Sequence, residues 1–82
     1  ENAFAEQFKL YPNPAVNELT LTNADKIGSI AVSNIVGDVV QIETTSQGDV
    51  YKLNTSNLSA GIYIITVTTK EGNNLTTRFV KQ

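Results

Sequence analysis

The chain has no cysteine, no histidine, no methionine and no tryptophan, and only two prolines in 82 residues. Without cysteine there is no disulfide and no thiol nucleophile, and the redox compartment leaves no mark. Without cysteine and histidine the usual zinc ligand sets are missing. So is every serine or cysteine machinery that uses imidazole as its base. Basic charge is also sparse. Lys9, Lys26, Lys52, Lys70, Arg78 and Lys81 stand singly, and the net charge is −2 with an isoelectric point near 4.8. Phosphate backbones and anionic membrane surfaces are bound by clustered cations, so no nucleic-acid partner is expected. No run approaches the ~20 apolar residues of a spanning helix, and no direct membrane insertion is expected. No charged start followed by an apolar core marks a signal peptide.

What the chain has instead is Val, Ile and Thr in quantity, the β-branched types that suit a pleated, half-buried surface. Apolar and polar residues alternate through every plausible segment, and no helical period is sustained. The alternation predicts about seven short strands: Phe8–Tyr11, Val16–Thr22, Ser29–Asn34, Val39–Thr44, Val50–Asn54, Gly61–Thr69 and Leu75–Lys81. Parity places Leu19, Leu21, Ile30, Val32, Val40 and Ile42 inward. It does the same for Tyr51, Leu53, Tyr63, Ile65, Val67, Leu75, Thr77 and Phe79, with Thr76 and Arg78 outward. "NADKIG", "VGD", "SQGD" and "EGNN" supply Gly, Asn and Asp between strands, where turns need them. Turn signals at roughly 8–12-residue spacing are the pattern of an all-β sandwich. The expected fold is a small immunoglobulin-like antiparallel β-sandwich of Greek-key type spanning residues 8–82. Residues 1–7 are expected to be a linker remnant from an upstream cargo.

The two prolines frame a single asparagine in "YPNPAVNELTLT". Each fixes its own φ near −65° and bars the residue before it from the helical region. Neither can donate to a ladder, so the segment reads as a stiff corner at a crossing between strands. A second constellation is "LSAGIYIITVTT". A Tyr just inside a sandwich strand folds its ring into the core and bonds its hydroxyl to the preceding corner. Leu58, Gly61 and Tyr63 are therefore expected to form a structural tyrosine corner, with Gly61 bringing the chain close beneath the ring.

Carboxylates are the only remaining catalytic groups. Glu18, Asp25, Asp38, Glu43, Asp49 and Glu71 fall at turns or on outward positions, and no nucleophile, base and oxyanion set can be assembled from them. No enzyme activity, catalytic residue, cofactor or metal is expected. Asp38, Asp49 and Glu71 match no calcium loop and read as turn residues. Three Asn-x-Ser/Thr matches, at Asn54, Asn57 and Asn74, arise freely in so Asn- and Thr-rich a chain. Phe4, Phe8, Tyr11, Tyr51, Tyr63 and Phe79 mostly fall on core parity, leaving no aromatic platform for sugars.

In order along the chain stand "YPNP" and "LTL", the strand-turn-strand "SIAVSNIVGDVVQ", then "LNTSNLSAGIYIITVTT", and a basic final strand "TTRFVKQ". From about Phe8 to Gln82 this resembles the type A C-terminal sorting domain of the type IX (Por) secretion system of Bacteroidetes. The resemblance implies a non-catalytic signal that directs an upstream cargo domain across the outer membrane. Its implied partners are the type IX translocon, an outer-membrane shuttle protein and a sortase that removes the domain as cargo joins the cell surface. The implied localisation is secreted, by way of periplasm and outer membrane, at the cell surface or beyond. Pro12, Asn13, Pro14, Gly37, Leu58, Gly61, Tyr63 and Lys81 match the family's pattern. Asn34 and Asp38 depart from it, standing where an Asp and a basic residue are frequent. The final strand is expected to end free, with Lys81 and Gln82 burying little and with Lys81 and the terminal carboxylate serving as polar handles for the translocon. The rival expectation is an immunoglobulin-like or fibronectin-like spacer, or a carbohydrate-binding module, of a bacterial surface enzyme.

Overall fold

Strict alternation along a strand becomes a buried face and a wet face once a second sheet covers it. The computed structural model, which describes residues 2–82, shows two such sheets packed face to face. A short helix α1 (Asn2–Gln7) comes first. The strands are β1 (Leu10–Tyr11), β2 (Glu18–Leu21), β3 (Ile27–Asn34), β4 (Val39–Val40), β5 (Glu43–Gln47), β6 (Val50–Asn54), β7 (Gly61–Thr69) and β8 (Asn74–Lys81). A 3-10 turn at Ala24–Lys26 joins β2 to β3. The first sheet has the order β1-β2-β6-β5 and the second β4-β3-β7-β8, with all ladders antiparallel. This is the immunoglobulin-like Greek-key arrangement, in which the first, second, fifth and fourth strands face the third, sixth and seventh. Here a short extra strand, β4, sits beside β3.

Each sheet gives one face to the core. Leu19, Leu21 and Leu53 come from the first, and Val32, Tyr63, Ile65, Val67 and Phe79 from the second. Fully burying a Leu, Ile or Phe is worth about 1.5–3 kcal/mol, and without a disulfide this is the main source of stability. The Tyr63 and Phe79 rings stack 5.6 Å apart at 19°, directly opposite in the β7–β8 ladder.

The bounds of β6 and β7 coincide with the expected ones, and β3 and β8 begin only one or two residues earlier. Two differences matter more. The run Val39–Thr44 is not one strand. Val39 and Val40 pair with β3 in the second sheet, the ladder stops at Gln41 and Ile42, and Glu43 starts a strand pairing with β6 in the first. Val40 and Ile42 both keep contact with the core through the crossing, so alternation continues while the hydrogen-bond partner changes. Periodicity therefore cannot mark the switch, and the strand count among the described residues is eight.

The second difference is at the front. Residues 2–7 form a helical turn and a half that inserts Phe4 into the core beside Phe8, rings 5.5 Å apart. Phe4 and Phe8 lie four apart and so share one side of a helix. So short a helix is unstable alone. It is held here by the Phe8 N–H to Phe4 carbonyl bond, 2.8 Å, and by Asn23, whose side-chain amide donates to the Gln7 carbonyl from left-handed backbone. Tyr11 is half exposed, because β1 ends there and the chain turns away.

Phe4→Ala should lower stability by about 3 kcal/mol, the lower end of the cost of a Phe truncation in a core, read as a urea midpoint shift at constant slope. An unchanged midpoint would mean that the helix does not contribute to the folded core.

Candidate functional site

β1 belongs to the first sheet, with Leu10 opposite Leu21 and Tyr11 opposite Thr20. Four residues after Tyr11 the chain is in the other sheet, where Ala15 forms a parallel bridge with Lys81 of β8. Pro12, Asn13 and Pro14 make the crossing, as their chemistry predicts, and a residue without an N–H loses nothing where there is no ladder. Both X-Pro bonds, at Tyr11–Pro12 and Asn13–Pro14, are cis.

The crossing closes over the end of β8. The Val80 N–H donates to Asn13 Oδ1 at 2.9 Å, and the Ala15 N–H donates to the Val80 carbonyl at 2.7 Å. The Gln82 N–H donates to the Ala15 carbonyl at 2.8 Å. On its other side Lys81 is paired with Gly61 of β7. The chain end is therefore not the free, unpaired strand end expected from sequence. Lys81 is only 8% exposed, and its Nζ donates to the Leu58 carbonyl at 2.9 Å. Its aliphatic stem lies along the core while the ammonium finds a carbonyl at the rim, the usual way a lysine is buried. Gln82 keeps an exposed side chain although its backbone is tied.

The same rim holds the tyrosine corner. The Tyr63 hydroxyl donates to the Ser59 carbonyl at 2.7 Å. The adjacent carbonyls of Leu58 and Ser59 are thus taken by side chains from two different strands, Lys81 and Tyr63. Gly61 serves the turn through its backbone conformation. A Cβ built there would meet nothing within 4 Å, so close approach to the ring is not the reason for glycine. Its φ of +155° is the reason, since L side chains rarely adopt it. Gly37 sits in the β3–β4 turn at the same end of the second sheet, with φ +98°. Asn34 pairs with Tyr63, which pairs with Phe79, placing that turn two strands from the β8 edge. Asn34 Oδ1 accepts the N–H groups of Val36 (3.1 Å) and Asp38 (3.0 Å), an Asx turn.

One residue of this corner left no signal in the sequence. Thr55, inside the polar "NTSNLS", is fully buried. Its N–H donates to the Asn17 carbonyl (3.0 Å), its Oγ1 to the Val16 carbonyl (3.2 Å), and its own carbonyl accepts the Leu58 N–H (3.1 Å). It ties the segment after the prolines to the segment before the tyrosine corner.

Glu18 and Glu43 lie two strands apart, both opposite Asn54, on the open face of the first sheet, with Lys52 3.5 Å from Glu18. Both carboxylates are solvated, and an exposed pair of this kind contributes little. Asp38, Asp49 and Glu71 occupy three separate turns, and among the described residues no three His, Cys, Asp or Glu are grouped to hold a metal. Among the same residues no helix is long and apolar enough to cross a membrane. Tyr11 is the one aromatic residue that is exposed among them, which gives no flat platform for a sugar.

Topology and corner together define an immunoglobulin-like β-sandwich in which motifs from both ends and the middle of the chain meet at one edge. The family model described as the secretion system C-terminal sorting domain matches residues 9–82, and the chain belongs to this family. It is a C-terminal sorting signal for type IX secretion, and the family is non-catalytic. Neither a curated protein nor a solved structure matches the chain. Membership carries with it an interaction with the type IX machinery and export across the outer membrane.

Removing Lys81 and Gln82 should destabilise the domain by about 2–4 kcal/mol, because the deletion frees buried backbone and carbonyl groups on both sides. A urea midpoint within error of the intact chain would return the terminus to the free state expected from sequence. Tyr63→Phe should cost about 1 kcal/mol, the ordinary net value of one hydrogen bond, since Ser59 lies at the surface where water can replace the hydroxyl.

Proposed function

We propose that the closed corner is the address itself. The type IX translocon and an outer-membrane shuttle protein bind the surface formed by Pro12, Asn13, Pro14 and the Gln82 end of β8, with Gly37 holding the neighbouring turn. Lys81, Leu58, Gly61 and Tyr63 act behind that surface by fixing it. The observation that carries this reading is the sharing of hydrogen bonds between motifs far apart in sequence. Asn13 accepts from Val80 and Lys81 donates to Leu58, while Pro12, Asn13, Pro14 and Gln82 stay exposed. On this reading residues 1–7 are the join to an upstream cargo domain, docked through Phe4. A sortase then cuts at or before that join as the cargo reaches the cell surface or the medium. The chain itself performs no catalysis.

The test is a secreted reporter carrying this chain at its C-terminus in a type IX-competent host, with reporter measured in periplasm and medium. The parent fusion should leave the periplasm. Asn13→Ala removes the acceptor of the Val80 N–H and should hold most of the reporter back, whereas Asn13→Asp keeps an acceptor and should restore export. Equal export of the parent and of a folded Asn13→Ala, Pro12→Ala double variant would remove the corner from the signal.

A further inference from the structure

The outer edge of β8 has two halves, and only one is covered. In an antiparallel ladder, residues that exchange both bonds with the neighbouring strand alternate with residues whose N–H and C=O face away from it. Val80 faces away from β7, since both of its backbone groups bond the corner. The same alternation turns Arg78 and Thr76, opposite Ile64 and Thr66, outward as well. β8 pairs with no strand on that side, and among the described residues nothing takes the outward N–H and C=O of Arg78 or Thr76.

Beside this open stretch lies a groove of about 410 Å³ between β8 and the α1–β1 segment. Leu10 and Tyr11, with the buried Phe4 and Phe8 behind them, give it an apolar wall, and among the described residues its only charged lining is Lys9 and Arg78. Both are exposed, and no carboxylate of the described residues lines the groove, although the chain as a whole carries a net charge of −2. Open edge and groove ask for different things of one ligand. The edge takes an extended backbone, and the cations take an acidic side chain beside an apolar one. A second copy of this chain fits poorly. Two antiparallel β8 edges would set their Arg78 side chains close together on one face of the joined sheet, and like charges across a ladder are destabilising.

We propose that the β8 edge at Thr76–Arg78 docks an extended, acidic segment of a partner protein, which adds to the second sheet as a further strand and places a carboxylate between Lys9 and Arg78. The corner ends this site, since Asn13 and Ala15 already occupy the edge from Val80 onward. Edge geometry and charge carry this site independently of the sorting corner, and binding here is read without export, so failure at one surface is distinguishable from failure at the other.

The experiment follows the amide resonances of the 82-residue chain as short capped peptides of alternating Val and Thr are added, alike except for an internal Glu, Lys or Gln. The Glu peptide should shift the Thr76 and Arg78 amides and slow their exchange with solvent. It should bind about tenfold more tightly than the Lys peptide, with the advantage shrinking as salt is raised. Arg78→Glu, at an exposed position, should abolish the Glu preference, and Arg78→Lys should keep it. Three results would each overturn the proposal: no response at these amides to the Glu peptide, equal responses to Glu and Lys, or shifts that follow chain concentration without peptide. The last of these would make the occupant a second copy.

Discussion

The pairing of Asn13 and Ala15 with the last three residues of the chain is the contact on which this side of the sandwich depends. A sandwich has an open flank wherever the first strand of one sheet faces the last strand of the other, and a bare strand edge is a site of unwanted pairing. Here the first strand leaves its own sheet and lays two residues along the edge of the other. Asn13 meets the Val80 N–H with a side-chain oxygen, doing by Asx chemistry what a backbone carbonyl does elsewhere in the ladder. Ala15, wholly buried, occupies the bridge where the crossing chain passes against β8. Without this clasp, Val80 and Gln82 would present unpaired backbone, and Lys81 would lose the geometry that carries its ammonium to Leu58.

On the proposed corner reading, that dependence links fold to function. The turn before β7 is held by Tyr63 from its own strand and by Lys81 from the next, while Thr55 ties the same turn to the segment after the prolines. Motifs that lie at opposite ends of the sequence form one surface only after both sheets have closed. On the reading proposed above, a sorting domain built in this way presents its landmarks in the folded state alone. Folding and recognition are therefore tested by many of the same substitutions, and variants that keep the hydrogen bond while changing the group are needed to separate them.

Coverage of the β8 edge is partial. The corner protects the last residues, and α1 with β1 stands off from the middle of the strand, leaving a groove rather than a seal. Edges left open in natural sandwiches are usually short or charged. This one carries Arg78, which discourages self-pairing by repulsion and still admits a partner of opposite charge.

Much of the sandwich was legible in the sequence, because its strongest signals are local. The alternation of Gly61–Thr69, the turn residues flanking Val50–Asn54, and two prolines that cannot sit in a ladder each act within a few residues of themselves. The order of motifs likewise pointed to the sorting-domain family. What the sequence alone did not determine are the choices of partner across space. Val39–Thr44 reads as one alternating strand, yet it changes sheets at Gln41, since side-chain parity does not record which strand supplies the hydrogen bonds. Phe4 and Phe8 are too few to show a helical period, and only the open end of the core makes a helix there worthwhile. Thr55 looks like any loop threonine until Val16 and Asn17 pass beside it. Lys81, read as a free charged end, is buried because Gly61 lies on one side of it, Ala15 on the other, and the Leu58 carbonyl within reach of its ammonium. Each of these was decided by tertiary structure, since each depends on backbone groups that are far away in sequence and become neighbours only when the two sheets close.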